Sequence, residues 1–256
     1  MKIGVFDSGL GGLTVVKALS KVIKGADIYY IADTANAPYG EKTPQQILEY
    51  SLVITKNLID TYNIDALILA CNTATSFAIE KLRELYPELI IIGTEPGIKP
   101  AIEKTKSGKI GVLATPATLK GEKYQELANQ LSKDRNIELY EQACPGLVEK
   151  IECGEVSTSD TKKLLESWVL PMHGKGVDTI VLGCTHYPLV SDVISDIMCG
   201  KVILIETGEA IARYLLSLSK KINHKNEGKL SIYIQSTGDI HFNMINHILD
   251  EYTFID

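Results

Sequence analysis

Short apolar runs alternate with longer amphipathic stretches along most of the chain. The runs contain many β-branched residues, which indicates strands at 3–6, 28–32, 66–70, 89–93, 109–113, 138–141, 179–182, 202–205 and 231–235. Several runs, such as 66–70, are apolar at every position, as expected for strands buried on both faces of a parallel sheet. The pattern therefore predicts an α/β protein with mostly parallel central sheets.

The stretches between these runs begin with signals for helix starts. Thr43 and Gln46 have the spacing of a capping box, and apolar residues follow it at helical intervals. Thr115 precedes Pro116, which places an N-cap residue before a proline at the first helical position. Both signals predict helices that follow strands directly.

Two pairs of segments indicate an internal duplication. IDALILACNT at 64–73 is similar to VDTIVLGCTH at 177–186, and KIGVFDS at 2–8 is similar to KIGVLAT at 109–115. Chance similarity between hydrophobic strands is the alternative, and a second matching pair makes it the weaker one. We therefore expect two pseudo-symmetric α/β domains.

Composition and charge narrow the class of protein. The chain has 256 residues, of which 45% are hydrophobic and 23% charged, as in globular proteins with a sizeable core. A net charge of −6 without a basic stripe argues against nucleic acid as a partner. The apolar runs are far shorter than the roughly 20 residues that cross a bilayer, and the N-terminal run is too short for a signal peptide. We expect a cytoplasmic protein with no membrane partner.

The five cysteines are an odd set without a CxxC pair. A disulfide framework is therefore not expected in a reducing compartment. Most such cysteines are buried apolar residues, so a chemical role for any of them needs further support.

Residues with chemical functions follow several of the predicted strands. In open α/β sheets, ligands bind beyond the carboxyl ends of the strands. The segments at those ends are Asp7-Ser8-Gly9-Leu10-Gly11-Gly12, Asp33 with Pro38-Tyr39-Gly40, Cys71-Asn72-Thr73, and Cys184-Thr185-His186-Tyr187-Pro188.

The glycine-rich segment after the first strand has two interpretations. Its glycines would let an anion approach main-chain N–H groups at a helix N-terminus. The spacing G-L-G-G is not the dinucleotide fingerprint, and a plain strand-to-helix turn is equally compatible with it.

Cys71 and Cys184 stand at duplicated positions, each directly after a strand. We expect each thiol near a helix N-terminus, which lowers the pKa of a thiol, and we expect the two to face each other across a cleft between the domains. Racemisation requires such a pair, because one base removes the α-proton from one face while a protonated partner delivers a proton to the other. Asp7, Glu152 and His186 are candidates to orient or tune the thiols.

Five motifs carry a resemblance to a known family. FDSGLGGLTV, ADTANAPYG, ACNTAT, LGCTHYPL and STGD make the chain resemble the bacterial glutamate racemases over essentially its whole length. The resemblance implies cofactor-independent racemisation with glutamate as substrate, in which Cys71 takes the proton from D-glutamate and Cys184 takes it from L-glutamate. It also implies a role in supplying D-glutamate for peptidoglycan, and a homodimer. The chain from about Gly208 on resembles the family's segment that returns to complete the first domain, so the expected domains span residues 1–97 plus 208–256 and residues 98–207.

The same resemblance implies the other site residues. Its substrate-binding positions are Asp7, Ser8, Pro38, Tyr39, Gly40, Asn72, Thr73, Thr115, Thr118, Thr185 and His186. Glu152 matches the family's glutamate near the second thiol, although Glu149-Lys150 departs from the usual pattern before it.

Three rival functions remain open. The related aspartate racemases share the paired cysteines but differ near them, and Thr75 and His186 favour glutamate. A non-catalytic amino-acid binding protein would leave the paired cysteines unexplained. A thiol redox protein would be expected to carry its cysteines as CxxC.

Overall fold

A computed structural model describes residues 1–135 and 137–255. Within those residues, the strands are β1 Lys2–Asp7, β2 Asp27–Ala32, β3 Ala66–Leu69, β4 Ile90–Gly93, β5 Lys109–Ala114, β6 Glu138–Ala143, β7 Thr179–Gly183, β8 Ile203–Ile205, β9 Ser231–Ser236 and β10 Thr253–Phe254. The α-helices are α1 Leu13–Val22, α2 Pro44–Tyr62, α3 Asn72–Leu85, α4 Ile98–Lys104, α5 Pro116–Lys120, α6 Glu122–Arg135, α7 Leu147–Glu152, α8 Ser159–Gly174, α9 Ser191–Ile197, α10 Gly208–Ser219 and α11 Phe242–Ile248. Short 3₁₀ helices cover Thr34–Asn36, Tyr39–Glu41, Tyr187–Val190 and Lys220–Ile222.

The chain divides into two compact units. The first comprises Met1–Thr94 and Thr207–Asp256, and the second comprises Glu95–Glu206. The strand order is β10-β9-β2-β1-β3-β4 in the first unit and β6-β5-β7-β8 in the second, and the strand pairs in both are parallel. The prediction of an α/β protein with parallel sheets is confirmed.

The two sheets share a four-strand arrangement. Each begins with a central strand, β1 or β5, flanked by the second and third strands of its unit, and the fourth strand lies outside the third. This is the arrangement that the similar segments at 2–8 and 109–115 predict, because those segments contain the two central strands.

Local signals in the sequence form the helices that they predict. Thr43 and Gln46 make the capping box at the start of α2, and the Thr43 side chain accepts from Gln46 N at 3.3 Å. Thr115 caps α5 by accepting from Thr118 N at 3.2 Å, with Pro116 at the first position. All nine predicted strands are present. The two-residue β10 was not predicted, because so short a strand shows no periodicity.

Each unit buries its own apolar core. In the first, α2 and α3 cover one sheet face through Ile54, Leu58 and Ile79, which pack against residues of β3. In the second, residues of α7, α8 and α9 pack on β7. Burying one such side chain contributes about 1.5–3 kcal/mol, so these contacts hold the strand ends that carry the candidate site. Among the helices of the described residues, none has the length and apolar character required to span a membrane.

Candidate active site

Three neighbouring strands of the first unit end in candidate residues. The order β2-β1-β3 places Asp33, Asp7 and Cys71 along one edge of the sheet. Asp7 ends β1, Asp33 directly follows β2, and Cys71 comes two residues after the end of β3. All three are buried, and Asp7 has no exposed surface. A buried carboxylate is costly unless it accepts hydrogen bonds, and both Asp7 and Asp33 accept them.

Cys71 is the N-cap residue of α3, as the sequence predicts. Its Sγ accepts a hydrogen bond from Ala74 N at 3.4 Å, and the thiol donates to Ser8 Oγ at 3.7 Å. The main-chain N–H groups of a helix N-terminus favour negative charge on a nearby group. The sulfur of Cys71 therefore lies in surroundings that stabilise a thiolate.

The segment from Asp7 to Gly12 forms a tight strand-to-helix turn that also holds the Asp7 carboxylate. Gly9 N donates to Asp7 Oδ2 at 3.1 Å, and Tyr30 OH donates to the Gly9 carbonyl. A Cβ atom on Gly12 would lie 2.5 Å from Asp7 Cβ and 2.8 Å from Tyr30 OH. The glycine is thus required by the close packing of the turn against Asp7.

The segment carrying Pro38, Tyr39 and Gly40 lies beside this turn. A cis peptide bond joins Ala37 to Pro38, and a 3₁₀ turn follows it. Tyr39 OH donates to Asp33 Oδ2 at 2.6 Å, and the pKa of Tyr39 is raised well above its usual value by burial and by this carboxylate. The Tyr39 hydroxyl is therefore already engaged within the first unit.

Asn72 and Thr73 are buried in the first turn of α3. The Nδ2 atom of Asn72 is buried and has no hydrogen-bond partner among the described residues. An unpaired buried donor costs about 1–3 kcal/mol. Such a donor beside the thiol is suited to an acceptor group on a bound ligand.

The second unit repeats this arrangement. The order β6-β5-β7 brings Cys144, Thr115 and Cys184 to one edge of the sheet, each directly after its strand. Thr115 Oγ1 donates to Thr118 Oγ1 at 2.9 Å, and both threonines are buried. The predicted pair Thr115 and Thr118 thus lies at the same sheet edge as Cys184.

Cys184, His186 and Glu152 form a continuous chain of polar contacts. Cys184 Sγ lies 3.6 Å from His186 Nδ1, and His186 Nε2 lies 2.5 Å from Glu152 Oε1. Thr185 Oγ1 is also 3.4 Å from His186 Nδ1. Burial of His186 lowers its pKa, but its bonds to Cys184 and Glu152 outweigh burial and raise the pKa well above its usual value.

The expectation that each cysteine lies at a helix N-terminus is wrong for Cys184. A 3₁₀ turn begins at Tyr187, and the α-helix that follows begins only at Ser191. Pro188 near the start of this turn has no N–H to donate to a preceding residue. His186 is therefore the group that the structure supplies to the Cys184 sulfur.

Two residues beside Cys184 were not predicted as functional. Cys144 and Tyr187 are buried in the same cluster as Cys184, and Tyr187 OH donates to the Cys144 carbonyl at 3.5 Å. Burial raises the pKa of Cys144 to about 12, so its thiol stays protonated at neutral pH. Cys144 comes directly after β6, and this position in the sequence could have indicated that it lies at the same sheet edge as Cys184.

These arrangements are suited to proton transfer at sulfur. Each thiol has its own polar partners, which are Ser8 and Ala74 N for Cys71 and His186 for Cys184. All five cysteines are free. Within residues 1–135 and 137–255, no cluster of three or more histidine, cysteine, aspartate or glutamate side chains is arranged to hold a metal ion.

Comparison with known proteins places these residues in context. A sequence model of the family described as Asp/Glu/Hydantoin racemase matches residues 3–215. The chain is 62% identical over 252 residues to the glutamate racemase of Sulfurovum sp., covering 98% of this chain and 95% of that one.

Solved structures show the same similarity. The glutamate racemase of Francisella tularensis in complex with D-glutamate has a TM-score of 0.81 at 31% identity, covering 100% of this chain and 97% of that one. The Escherichia coli glutamate racemase in complex with L-glutamate and the activator UDP-MurNAc-ala has a TM-score of 0.87 at 26% identity, covering 99% and 97%.

Proposed function

The chain belongs to the Asp/Glu/hydantoin racemase family and, within it, to the glutamate racemases, and we propose that it interconverts L- and D-glutamate with Cys71 and Cys184 as the two acid–base groups that act at Cα. The observation that supports this most is the pair of thiols after β3 and β7, the corresponding strands of two similar sheets, each with its own polar partners. The reaction needs no added cofactor.

The proposed steps treat the two cysteines as acid and base in turn. With L-glutamate, the Cys184 thiolate takes the α-proton, so the Cα–H bond breaks and an S–H bond forms. The electron pair remains on Cα beside the α-carboxylate. The Cys71 thiol then gives its proton to the opposite face, which forms D-glutamate and leaves a thiolate. Starting from D-glutamate, the roles are exchanged.

The surrounding residues prepare each thiol. His186, with its pKa raised by Cys184 and Glu152, stabilises negative charge on Cys184. Asp7 and Ser8 act on the Cys71 side, where Ser8 contacts the sulfur. In this proposal, Asp7, Glu152 and His186 adjust how readily the two thiols lose and regain a proton.

Substrate binding is assigned to polar side chains and main-chain groups near the strand ends. The unpaired Nδ2 of Asn72 supports a role in donating a hydrogen bond to a substrate carboxylate oxygen. The other proposed positions are Asp7, Ser8, Pro38, Tyr39, Gly40, Thr73, Thr115, Thr118, Thr185 and His186. Of these, Tyr39 and Gly40 would act through their main chain, since Tyr39 OH donates to Asp33.

The biological setting follows from the family. We propose that the product D-glutamate is used for peptidoglycan synthesis in the cytoplasm, where reducing conditions suit five free cysteines. We also propose a homodimer, on the resemblance alone. Sedimentation equilibrium tests this assembly, and a mass of one chain would contradict it.

Proton exchange in heavy water tests the reaction. Incubation with L-glutamate should lose optical activity while deuterium enters the α-position, because the proton added to the second face comes from solvent-exchanged sulfur. Glutamate binding with neither change would contradict racemisation and favour a binding protein. Turnover of aspartate in preference to glutamate would favour the aspartate racemases.

Single-cysteine variants test the two-base assignment. Cys71→Ser should lose racemisation but still exchange the α-proton of L-glutamate, whereas Cys184→Ser should exchange only that of D-glutamate. Cys153→Ser alters an exposed cysteine and serves as the matched control. Exchange of both enantiomers by either active-site variant would contradict the assignment.

A further inference from the structure

We propose that Asp33 and Thr237 form a positioning device that holds the Pro38–Gly40 segment in its substrate-binding position. This inference rests on the proposed function, because it concerns how tightly that segment binds glutamate. Neither residue belongs to the substrate-binding or acid–base sets above. The device joins parts of the chain 204 residues apart, within the first unit.

Asp33 is the centre of a buried hydrogen-bond network. Its side chain is 1% exposed and accepts from Tyr39 OH at 2.6 Å, from Thr237 Oγ1 at 2.7 Å and from Asn36 Nδ2 at 3.1 Å. Hydrogen bonds to a carboxylate are stronger than those between neutral groups. Three neutral donors on different parts of the chain therefore converge on one buried charge.

Thr237 connects this charge to the end of β9. Its Oγ1 donates to Asp33 and also accepts from Ala35 N at 3.1 Å, and its own N–H donates to the Ala32 carbonyl at 3.0 Å. The side chain thus uses both its donor and its acceptor on the segment that follows β2. Valine has the same shape but can do neither.

The main chain after β9 lies directly against the main chain after β2. Gly238 N donates to Thr34 Oγ1 at 3.0 Å, and a Cβ atom on Gly238 would lie 2.9 Å from Ala35 N. Only glycine permits so close an approach. Thr237 and Gly238 of the STGD motif, residues 236–239, thereby support the 34–36 turn.

Tyr39 transmits this support to the binding segment. Its hydroxyl is fixed by Asp33, and its ring packs in one buried cluster with Phe6 and Cys71. If the Asp33 carboxylate changes its position, Tyr39 loses the bond that fixes its hydroxyl, and the main chain of Tyr39 and Gly40 is held less firmly. The side-chain hydrogen bonds described for Asp33 and Thr237 all run to the segments that follow β2 and β9, so the effect should fall on substrate binding more than on proton transfer.

Burying the Asp33 carboxylate costs desolvation free energy that an apolar side chain at the same place would not. Well-packed apolar residues often stabilise a protein as much as a buried charged network of similar volume. A charge that receives three directional bonds instead fixes the geometry of all its donors. That property suits a segment whose main chain must present N–H groups at set positions.

Steady-state kinetics with Thr237→Val, Thr237→Ser and Ser236→Ala test the device. Thr237→Val should raise KM for glutamate about tenfold, the change expected for one lost charge-assisted bond, with kcat within about threefold of wild type. Thr237→Ser keeps the hydroxyl and should restore KM. Ser236→Ala removes bonds to Thr34 and Gly238 but none to Asp33, and should leave KM unchanged.

A double-mutant cycle keeps the test decisive if single variants are destabilised. Tyr39→Phe combined with Thr237→Val should raise KM less than the sum of the two separate effects in free energy, because both act through Asp33. An unchanged KM in Thr237→Val, an equal rise in Ser236→Ala, or a fully additive cycle would overturn the proposal.

The wild-type protein in the same assay separates this proposal from the proposed function. Absence of wild-type turnover would contradict racemisation. The variants would then be compared with wild type by their Kd for glutamate, measured by calorimetry. Wild-type turnover with an unaltered KM and Kd in Thr237→Val would contradict only the positioning role.

Discussion

His186 Nε2 lies 2.5 Å from Glu152 Oε1, and the two residues are 34 positions apart in the chain. The opposite nitrogen of the same ring faces Cys184 Sγ at 3.6 Å. Through this ring, a partly exposed carboxylate acts on a buried sulfur. The role of His186 in stabilising negative charge on Cys184 depends on its contact with Glu152.

Glu152→Gln should lower the pKa of His186, because burial then acts without the carboxylate that opposes it. We expect kcat/KM for L-glutamate to fall on the order of tenfold, less than the 10²–10⁴ of an acid–base group itself. In the pH profile of kcat/KM, the limb that reports loss of the His186 proton should shift to lower pH. Glu149→Gln, in the same helix α7, is the control, and an unshifted profile in Glu152→Gln would contradict the role of the carboxylate.

The same change has a consequence for stability. A histidine with a raised folded-state pKa stabilises the fold below its unfolded pKa of about 6.5, and this contribution is lost as pH rises through the folded value. Glu152→Gln should therefore lower the free energy of unfolding more at pH 6 than at pH 9. Urea unfolding at both pH values measures this, and an equal loss at both would contradict the raised pKa.

Asn72→Leu should separate stability from binding. The unpaired Nδ2 is costly in the free protein, so an apolar side chain of similar size should raise the free energy of unfolding by about 1 kcal/mol. The same change should raise KM for glutamate at least tenfold, since the proposed donor is lost. Thermal unfolding with and without glutamate, together with kinetics, measures both effects.

Thr55→Val provides the comparison for Asn72→Leu. Thr55 Oγ1 is likewise buried without a partner among the described residues, but it lies within α2. This variant should gain stability with no change in KM. If both variants left KM unaltered, Asn72 would have no part in binding.

Gly12→Ala should destabilise the first unit and reduce activity together. The added Cβ would lie 2.5 Å from Asp7 Cβ, so the turn or β1 must move. Overpacking of this kind costs about 1–3 kcal/mol. Gly174→Ala, with open space around the new Cβ, should be neutral or gain up to about 1 kcal/mol. Comparable melting temperatures for the two variants would contradict the assigned packing of Gly12.

Asp178→Asn should lower the free energy of unfolding of the second unit, by an amount that decreases at acid pH. The Asp178 carboxylate accepts from Thr105 Oγ1 at 2.6 Å and from Lys106 N and Ser107 N at 2.8 Å each. Although desolvation opposes them, these bonds lower the pKa of Asp178 to about 2. Because the group is only partly buried, its loss should cost about 1 kcal/mol at pH 7.

The pH dependence gives the check on Asp178. A lowered folded-state pKa adds stability above the unfolded value of about 3.9, and this is lost as pH falls through the folded value of about 2. The difference between wild type and Asp178→Asn should therefore shrink between pH 4 and pH 2. Asp196→Asn, at an exposed position, is the control. A difference that stays constant over this range would contradict the prediction.

The sequence by itself determined the elements and the identity of the strand-end residues. Burial of a parallel strand on both faces requires an apolar run, and a helix start requires a nearby side chain to accept its free N–H groups. Both requirements are met within a few residues, as at Thr43 and Thr115. The duplicated positions of Cys71 and Cys184 are equally local, because each follows its own strand.

The tertiary structure decided which polar groups meet. His186 and Glu152 are 34 residues apart, and Asp33 and Thr237 are 204 apart. Whether Cys184 is followed by an α-helix or a 3₁₀ turn also depended on how the 187–190 segment packs. Such contacts arise from the packing of whole elements against each other, and no periodicity or spacing along the chain records them. Local propensity therefore places the candidate residues, whereas packing gives each one its partner.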